Sequence, residues 1–321
     1  MSAAPSPKGP IRIVPVSHIS AAIPDEPTWL IETLWASQAV GLIGGAPKSC
    51  KSWLALEMAL SVASGRPCLG SFEPRQTGPV LLYAAEDSPR QVRRRLEGLA
   101  QVRRVDFGAL GVHLILEPAL RLDLPEDLQR LDDAVVSHTP RLLILDPFVR
   151  LHRIDENSAA EVSALLADLR SLQRRRQVAI VLVHHTRKSN GEAAGPALRG
   201  SGDLHAWGDS NLYLRRNGDD LVLSSEHRWA RAGEPMALRL ADDSAPPHLC
   251  VEGPHQPSPS PDLSVQVLAL LRSRKEPVSQ DVIRHVLKVR NQRLTEVLSE
   301  LRAAGRIVRG PGGWSLAPSS P

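Results

Sequence analysis

The sequence predicts an α/β fold with a mostly parallel central sheet, followed by a small domain of helices and a hairpin. From Trp29 onward, continuous aliphatic runs alternate with helical patterns, as expected of strands that are buried on both faces of a parallel sheet. The loop Gly45–Ser52 joins the first of these runs to a helical pattern. A proline-rich stretch then separates the C-terminal part of the chain, which has its own apolar periodicity.

Each element follows from the local pattern. The runs predicted as parallel strands are Ala39–Gly44, Pro79–Ala85, Val112–Leu116, Arg141–Pro147 and Val178–Val183. The helical patterns between them are Trp53–Leu60, Gln91–Val105, Pro125–His138 and Ser158–Gln173. Shorter alternating runs at Ser210–Arg215, Asp220–Ser225 and Met236–Leu240 predict antiparallel strands that finish the sheet.

This pattern divides the chain into four parts. Residues 1–27 are rich in Pro, Ser and Ala and are predicted to form a loose arm. Residues 28–252 form the α/β domain, and residues 253–262, with four prolines, form a linker. Residues 263–317 contain three short helical patterns and a hairpin signal, which together are typical of a winged helix-turn-helix.

Composition and charge narrow the class of protein. A length of 321 residues suits two domains. Three cysteines without metal spacing, no membrane-length apolar run and no signal peptide predict a reduced, cytoplasmic protein. The segment from Asp262 onward contains 10 Lys and Arg and 5 Asp and Glu, which gives a net charge of +5. The preceding residues contain the other 29 Lys and Arg and 30 Asp and Glu, which gives a net charge of −1. This C-terminal excess indicates either a nucleic-acid contact or a solvated Arg-rich surface.

The loop Gly45–Ser52 reads Gly-Ala-Pro-Lys-Ser-Cys-Lys-Ser, the pattern of a phosphate-binding loop with one glycine replaced by Cys50. In such a loop the backbone N–H groups point at phosphate oxygens beside a helix N-terminus. Lys51 would reach the β- and γ-phosphates, Ser52 would bind Mg²⁺, and Lys48 would add a second cation. Because Cys50 directly precedes the helix, we expect it to have a negative φ and to leave ATP binding intact.

Polar residues follow the next strands of the predicted sheet. Asp146 ends an aliphatic strand, where an acid can hold Mg²⁺ through water, although an aspartate there is also a common turn residue. Glu86 follows another strand and could orient the attacking water, or it could cap the next helix. Because ligands bind beyond the carboxyl ends of parallel strands, these side chains should converge with the loop.

Further charged candidates follow the last parallel strand. His184 and His185 could hydrogen-bond a γ-phosphate, bind a metal ion or serve the structure alone. Arg199 and the pair Arg215-Arg216 are candidates for a cation that stabilises charge on the transferred phosphoryl group. The small, polar, glycine-bearing segment that begins at Lys188 is predicted to be a mobile loop.

In combination these motifs resemble the RecA-like hexameric P-loop ATPases, in particular plasmid replicative helicases of the RepA type and AAA-family ATPases of bacterial mobile elements. The resemblance covers about Trp29 to Leu240 and depends on five segments. They are Gly45–Leu56, which contains the loop, and Leu82–Pro89, Leu143–Ser158, Val183–Lys188 and Leu198–Leu204.

The resemblance implies a RecA-like core with ATP between the subunits of a ring and single-stranded DNA in the channel. It implies that Gly45, Ala46, Pro47, Lys48, Ser49, Cys50, Lys51, Ser52 and Trp53 bind nucleotide, with Ser52 and Asp146 at Mg²⁺. It also implies that Glu86 is the catalytic glutamate, that His184 or His185 senses the γ-phosphate, and that Arg199 and Arg216 act on the neighbouring subunit's ATP. Lys188 would face the DNA channel.

The C-terminal part departs from the core of that family. In a helix-turn-helix the second helix presents its N-terminal residues to the major groove, which places Lys288, Arg290, Asn291, Gln292 and Arg293 there. Arg302, Arg306 and Arg309 would lie near the DNA backbone or the wing. A small winged helix can equally dock a protein.

Two functions are therefore expected from the sequence. The first is a Mg²⁺-dependent, ring-forming ATPase that acts on DNA, for example a replicative helicase or a remodelling motor. The second is an ATP-gated DNA-binding regulator with little or no turnover. The acids and histidines at the strand ends favour the first function, whereas Cys50 and the basic C-terminal part favour the second.

Overall fold

The computed structural model describes residues 13–18, 28–185, 202–217, 220–242, 245–254, 263–274, 276–287, 289 and 291–317, with the backbone alone at residues 202, 217, 220, 292 and 293. The chain divides into two compact units, Met1–His255 and Gln256–Pro321. None of the described helices has the length and apolarity needed to cross a membrane.

The larger unit is an α/β domain. Its strands are β1 (Trp29–Ile31), β2 (Trp35–Ala36), β3 (Val40–Gly45), β4 (Val80–Ala84), β5 (Val112–Leu114), β6 (Leu142–Asp146), β7 (Ala179–His185), β8 (Ser210–Asn217), β9 (Asp220–His227), β10 (Met236–Ala241) and β11 (His248–Pro254). Its helices are α1 (Lys51–Ser64), α2 (Pro89–Arg103), α3 (Pro125–His138), α4 (Ala159–Arg176) and α5 (Gly202–Trp207).

Nine of these strands form one sheet in the order β11-β10-β9-β8-β3-β7-β6-β4-β5. From β8 to β5 all neighbours are parallel, and β9, β10 and β11 continue the sheet in antiparallel fashion. This confirms the predicted α/β fold with a mostly parallel sheet. The carboxyl ends of β3, β4, β6 and β7 consequently meet at one edge, and this edge is where the predicted site residues lie.

One strand has a different orientation from the prediction. The run at Ser210 was expected to be antiparallel, but β8 pairs in parallel with β3, and only its other edge pairs antiparallel, with β9. The long connection from β7, which contains α5, allows the parallel alignment, whereas the two-residue connection to β9 requires a hairpin. The hairpin β1–β2, helix α5 and strand β11 were not predicted, and β11 includes Gly253 and Pro254 of the predicted linker.

Helices cover both faces of the sheet. Helices α1 and α2 bury residues such as Leu54, Met58 and Leu99 against one face, and α3 and α4 bury Leu131 and Leu169 against the other. Because both faces are covered, the central strands are aliphatic throughout. Burial on both faces holds the strand ends, and with them the polar residues that follow each strand, in fixed positions.

The smaller unit contains α6 (Leu263–Arg272), α7 (Gln280–Leu287), α8 (Asn291–Ala303), β12 (Ile307–Gly310) and β13 (Gly313–Leu316). The two strands form an antiparallel hairpin, and Trp314 also pairs with Val278, just before α7. Buried side chains from all three helices and the hairpin, among them Val267, Ile283, Leu298 and Trp314, form its own hydrophobic core.

Candidate functional site

The loop 45–52 begins at the end of β3, directly beside β8. Gly45 ends β3, and a Cβ built at this position would lie 2.4 Å from the carbonyl oxygen of Leu214 and 2.6 Å from Ser49 Oγ. Real Cβ atoms do not approach other atoms so closely, so only glycine fits at position 45. The tight approach holds the loop against the carboxyl end of β8.

Two buried polar side chains lie in this loop. Lys51 is 3% exposed, and its Nζ donates a hydrogen bond to the carbonyl oxygen of Ala46 over 2.8 Å. Burial lowers the pKa of Lys51 to about 8, although the carboxylates of Asp146 and Glu86 act in the opposite direction. Ser49 Oγ is buried without a hydrogen-bond partner among the described residues. A buried cation and an unpartnered hydroxyl fit an anionic, hydrogen-bonding ligand such as a phosphate group.

The backbone at Cys50 corrects one prediction. Cys50 was expected to have a negative φ, but it has φ 64° and ψ 22°, in the left-handed region, and it is the residue that caps α1. For a residue with a Cβ this conformation costs about 1–2 kcal/mol, and glycine avoids most of that cost. Helix α1 begins at Lys51, directly after Cys50 as predicted, but the loop stores strain at Cys50.

Ser52 and Asp146 come together beside the loop. The Ser52 side chain hydrogen-bonds to the Asp146 carboxyl, which ends β6. Burial raises the pKa of Asp146 to about 6, with the negative charges of Asp87 and Glu86 adding to the rise, whereas the Ser52 hydrogen bond and Lys51 oppose it. A hydroxyl and a carboxylate are oxygen ligands of the kind that Mg²⁺ prefers, so this pair fits a nucleotide-bound Mg²⁺.

Glu86 lies at the mouth of the same cleft. Its Oε1 accepts a hydrogen bond from Arg150 Nε over 3.2 Å, and its Oε2 lies 3.9 Å from His185 Nε2. Glu86 does not cap α2, because Ser88 accepts the hydrogen bond from the Gln91 backbone and forms the capping box of that helix. The alternative of a capping role for Glu86 is thus excluded, and its carboxylate faces solvent beside the loop.

The two histidines end β7 in different environments. His184 is buried, and burial lowers its pKa to about 4, with the nearby His185 and Lys51 acting in the same direction. His185 is half-buried, and its pKa is also lowered, first by burial. The Nδ1 atoms of both histidines lack a hydrogen-bond partner among the described residues. Both are thus neutral near pH 7. No group of three or more potential metal ligands occurs in the described part of the chain.

These side chains surround one cleft of about 300 Å³. Its lining consists of Lys48, Ser49, Cys50, Lys51, Ser52, Trp53, Ala84, Glu86, Asp87, Arg95, Asp146 and His185. The cleft thus brings together residues 48–53, Glu86, Asp146 and His185 of the predicted site. The predicted residues Gly45, Ala46, Pro47, His184 and Arg216 do not line it.

A part of this lining was not predicted from the sequence. The Arg95 guanidinium lies 5.2 Å from the centre of the Trp53 ring and forms an ion pair with Asp87. Arg95 belongs to an arginine-rich helix, and its sequence neighbours offer no signal that distinguishes this arginine from Arg93 or Arg94.

Arg216 lies beside the loop of its own chain. Its Nη2 is 3.5 Å from Cys50 Sγ, although the resemblance implied a role at a neighbouring subunit. Lys188, Arg199, Lys288 and Arg290 lie outside the described residues, as do the side chains of Gln292 and Arg293. Asn291 begins α8 of the smaller unit, where its side chain accepts a hydrogen bond from Gln280.

Solved structures with a similar fold are a DnaB-like replicative helicase, a RadB recombinase and a KaiC-like protein from the hyperthermophilic archaeon Pyrococcus horikoshii OT3. The match to the helicase has a TM-score of 0.51 at 15% identity and covers 67% of this chain and 57% of the helicase chain. This chain thus spans little more than half the length of that helicase. The match to the recombinase has a TM-score of 0.47 at 17% identity and covers 64% of this chain and 88% of the recombinase chain. The match to the KaiC-like protein has a TM-score of 0.47 at 15% identity and covers 69% of this chain and 93% of the KaiC-like chain.

The sheet, the loop 45–52 and the cleft beside it form a RecA-like P-loop fold. A protein family described as an AAA domain matches residues 5–191, more than half of the chain. The chain belongs to this AAA-domain family.

Proposed function

We propose that this protein binds ATP with Mg²⁺ and hydrolyses it, and that it couples the hydrolysis to work on DNA as a ring-forming motor. The convergence of Lys51, Ser52, Asp146 and Glu86 in one cleft supports this proposal most directly. Family membership and the likeness of the fold to a replicative helicase agree with it.

Each residue of the cleft has a role in the proposed reaction. The loop amides and Lys51 bind the β- and γ-phosphates, while Ser52 and Asp146 hold the metal ion. Mg²⁺, when bound, neutralises part of the charge on the phosphate oxygens. Glu86 orients the attacking water and accepts its proton, because its carboxylate is exposed beside the loop. The charges of Lys51 and Glu86 shift the pKa of His185 in opposite directions, and His185 would respond to the γ-phosphate.

The full chain should hydrolyse ATP faster in the presence of single-stranded DNA. Glu86→Gln should lower this turnover by about 10²–10⁴-fold, because it removes the general base but preserves the shape of the side chain. Glu97→Gln is a matched control, since Glu97 is an exposed partner of Arg93 on α2, away from the cleft. Equal turnover of the Glu86 and Glu97 variants would contradict the assigned role of Glu86.

The strained backbone at Cys50 favours a second candidate, an ATP-gated DNA-binding regulator with slow turnover. A Cβ in the left-handed region of the loop can shift Lys51, the next residue, away from its productive position. The same turnover assay separates the two functions. Tight ATP binding without DNA-stimulated hydrolysis would support the regulator.

We propose that the smaller unit is a winged helix-turn-helix that contacts DNA. In this proposal the larger unit forms the ring, and its Lys188 contacts DNA in the channel. The unit has three helices, a hairpin and a third strand segment at Val278. A groove of about 500 Å³ between α8 and the hairpin is lined by Arg302, Arg309 and Trp314, and the Arg309 guanidinium lies 5.6 Å from the centre of the Trp314 ring. Arginine side chains suit phosphate contacts, and the buried Trp314 ring supports Arg309.

Residues 256–321, which contain their own hydrophobic core, should bind duplex DNA with an affinity that falls as salt concentration rises. Arg309→Ala should weaken binding uniformly across sequences and reduce the slope of log affinity against log salt by about one. Arg284→Ala is the matched control, because Arg284 is paired with Asp281 on α7. Absence of binding at low salt would show that this unit docks a protein instead.

A further inference from the structure

We propose that Arg216 binds the phosphates of the nucleotide held by its own chain, and that the Cys50 thiol holds the Arg216 side chain in place. This inference rests on the proposed ATP site. It differs from what the family resemblance implies, because that resemblance assigns Arg216 to the nucleotide of a neighbouring subunit. The described contacts favour action within one chain.

Strand pairing brings Arg216 to the loop. Strand β8 runs parallel to β3, with Leu214 opposite Gly45 at the point where the loop begins. Arg216 follows Leu214 by two residues, so it extends beyond the edge of the sheet on the same side as the loop. The parallel pairing of Gly45 with Leu214 fixes the two elements side by side at this point.

The charge of Arg216 is free to meet an anion. Two other arginines near the cleft are held by carboxylates, Arg150 by Glu86 and Arg95 by Asp87. Within the described residues, Arg216 forms no ion pair with a carboxylate, and its Nη2 contacts Cys50 Sγ at 3.5 Å. A guanidinium has five N–H donors, so this single contact leaves the others available to phosphate oxygens.

The same contact gives Cys50 a role that glycine could not fill. A side chain in the left-handed region is strained, and its contact with Arg216 gives this strained side chain a function. Glycine at position 50 would relieve the strain but would leave the Arg216 side chain without its contact to the loop. Cys50 is thus a positioning residue, which acts on the nucleotide through Arg216.

Calorimetric titration of the full chain with ATP and Mg²⁺ tests the role of Arg216. Arg216→Ala should lower ATP affinity about 10–100-fold, the effect of losing a charge-assisted hydrogen bond. Arg216→Lys should recover part of it. Arg215→Ala is the matched control, because successive side chains of a strand point to opposite faces, and it should bind ATP as the unchanged chain does.

Mixing two inactive variants decides which chain supplies the arginine. In a mixture of Arg216→Ala and Lys51→Ala chains, every chain has one damaged residue in its own site, so action within one chain predicts no turnover beyond the sum of the two variants. Action on a neighbour would create intact sites between unlike chains, and restored turnover would overturn the proposal. If the chains do not associate, any loss of affinity in Arg216→Ala already arises within one chain.

Cys50 variants test the positioning role. Cys50→Gly should raise the thermal stability of the chain, because it relieves the strained backbone, but should weaken ATP binding. Cys50→Ser, which keeps a polar contact for Arg216, should bind ATP more tightly than Cys50→Gly. Arg216→Ala should have a smaller effect in the Cys50→Gly background than alone, and full additivity would contradict the coupling.

The outcomes also separate this inference from the proposed function. An unchanged chain that binds no ATP would contradict both. An unchanged chain that binds ATP, with an Arg216→Ala variant that binds it equally well, would contradict the role of Arg216 and leave the ATP site intact.

Discussion

Lys51→Ala should remove ATP hydrolysis almost completely, by a factor of about 10²–10³, and should weaken ATP binding by a factor of about 10–100. Lys51 is buried at the start of α1, and its Nζ already hydrogen-bonds within the loop, so the side chain is held where phosphate oxygens would bind. A hydrogen bond to a charged group contributes about 1.5–3 kcal/mol, and more where charge develops in the transition state. Calorimetry and a phosphate-release assay measure the two effects.

Lys48→Ala is the control in the same loop. Lys48 also lines the cleft, but it is exposed, so solvent screens its charge and we expect less than about a tenfold loss of affinity. Turnover in the Lys51→Ala variant that stays within a factor of about two of the unchanged chain would show that the cleft is not the catalytic site.

Arg103→Ala should destabilise the larger unit by about 3–5 kcal/mol. Glu57 on α1 is completely buried, and its two oxygens accept hydrogen bonds from Arg103 Nη2 over 2.8 Å and from Nε over 3.2 Å. Arg103 Nη2 also donates to the carbonyl oxygen of Leu249 in β11. Removal of the guanidinium leaves a buried carboxylate without its cation. Urea denaturation measures the change in the free energy of unfolding.

Arg93→Ala on the same helix is the matched control. The pair Arg93–Glu97 is solvent-exposed, and the Arg93 guanidinium also lies 5.3 Å from the centre of the Phe107 ring, so the loss of Arg93 should cost no more than about 1.5 kcal/mol. Similar losses in the two variants would mean that burial of Glu57 does not make its ion pair important.

The effect of Arg103→Ala should also depend on pH. Burial raises the pKa of Glu57 above its ordinary 4.5, even though Arg103 opposes the rise, so the pKa should rise further without Arg103. A carboxyl with a folded pKa above its unfolded value stabilises the fold below the unfolded pKa, and this contribution is lost as pH rises through the folded pKa. The variant should therefore lose less stability at pH 5 than at pH 8, and the opposite trend would contradict this assignment.

The sequence predicted the elements whose burial is uniform. Strands β4, β6 and β7 are buried on both faces, so each is a continuous aliphatic run that is visible without the structure. The strands of the hairpin β1–β2 have only 3 and 2 residues, and β11 is partly exposed, so their composition does not distinguish them from loops. The parallel alignment of β8 depends on the path of a long connection, which local patterns do not encode.

The candidate site could be predicted only in part for the same reason. Asp146, Glu86 and His185 follow strands, and parallel strands end at one edge, so their proximity follows from the order of elements. The contact between Cys50 and Arg216 joins residues 166 positions apart, and the ion pair of Arg95 with Asp87 depends on which side of α2 faces the cleft. Neither has a local signal.

The sequence by itself determined the class of fold, the phosphate-binding loop and the strand ends that surround it, because hydrophobic periodicity and glycine placement are local properties. The tertiary structure decided the environment of each side chain. Cys50 has a left-handed conformation and lies beside Arg216 of β8, while burial shifts the pKa values of Lys51 and Asp146. Strain, desolvation and long-range contacts arise only when distant segments meet, and at this loop they bear directly on the proposed chemistry.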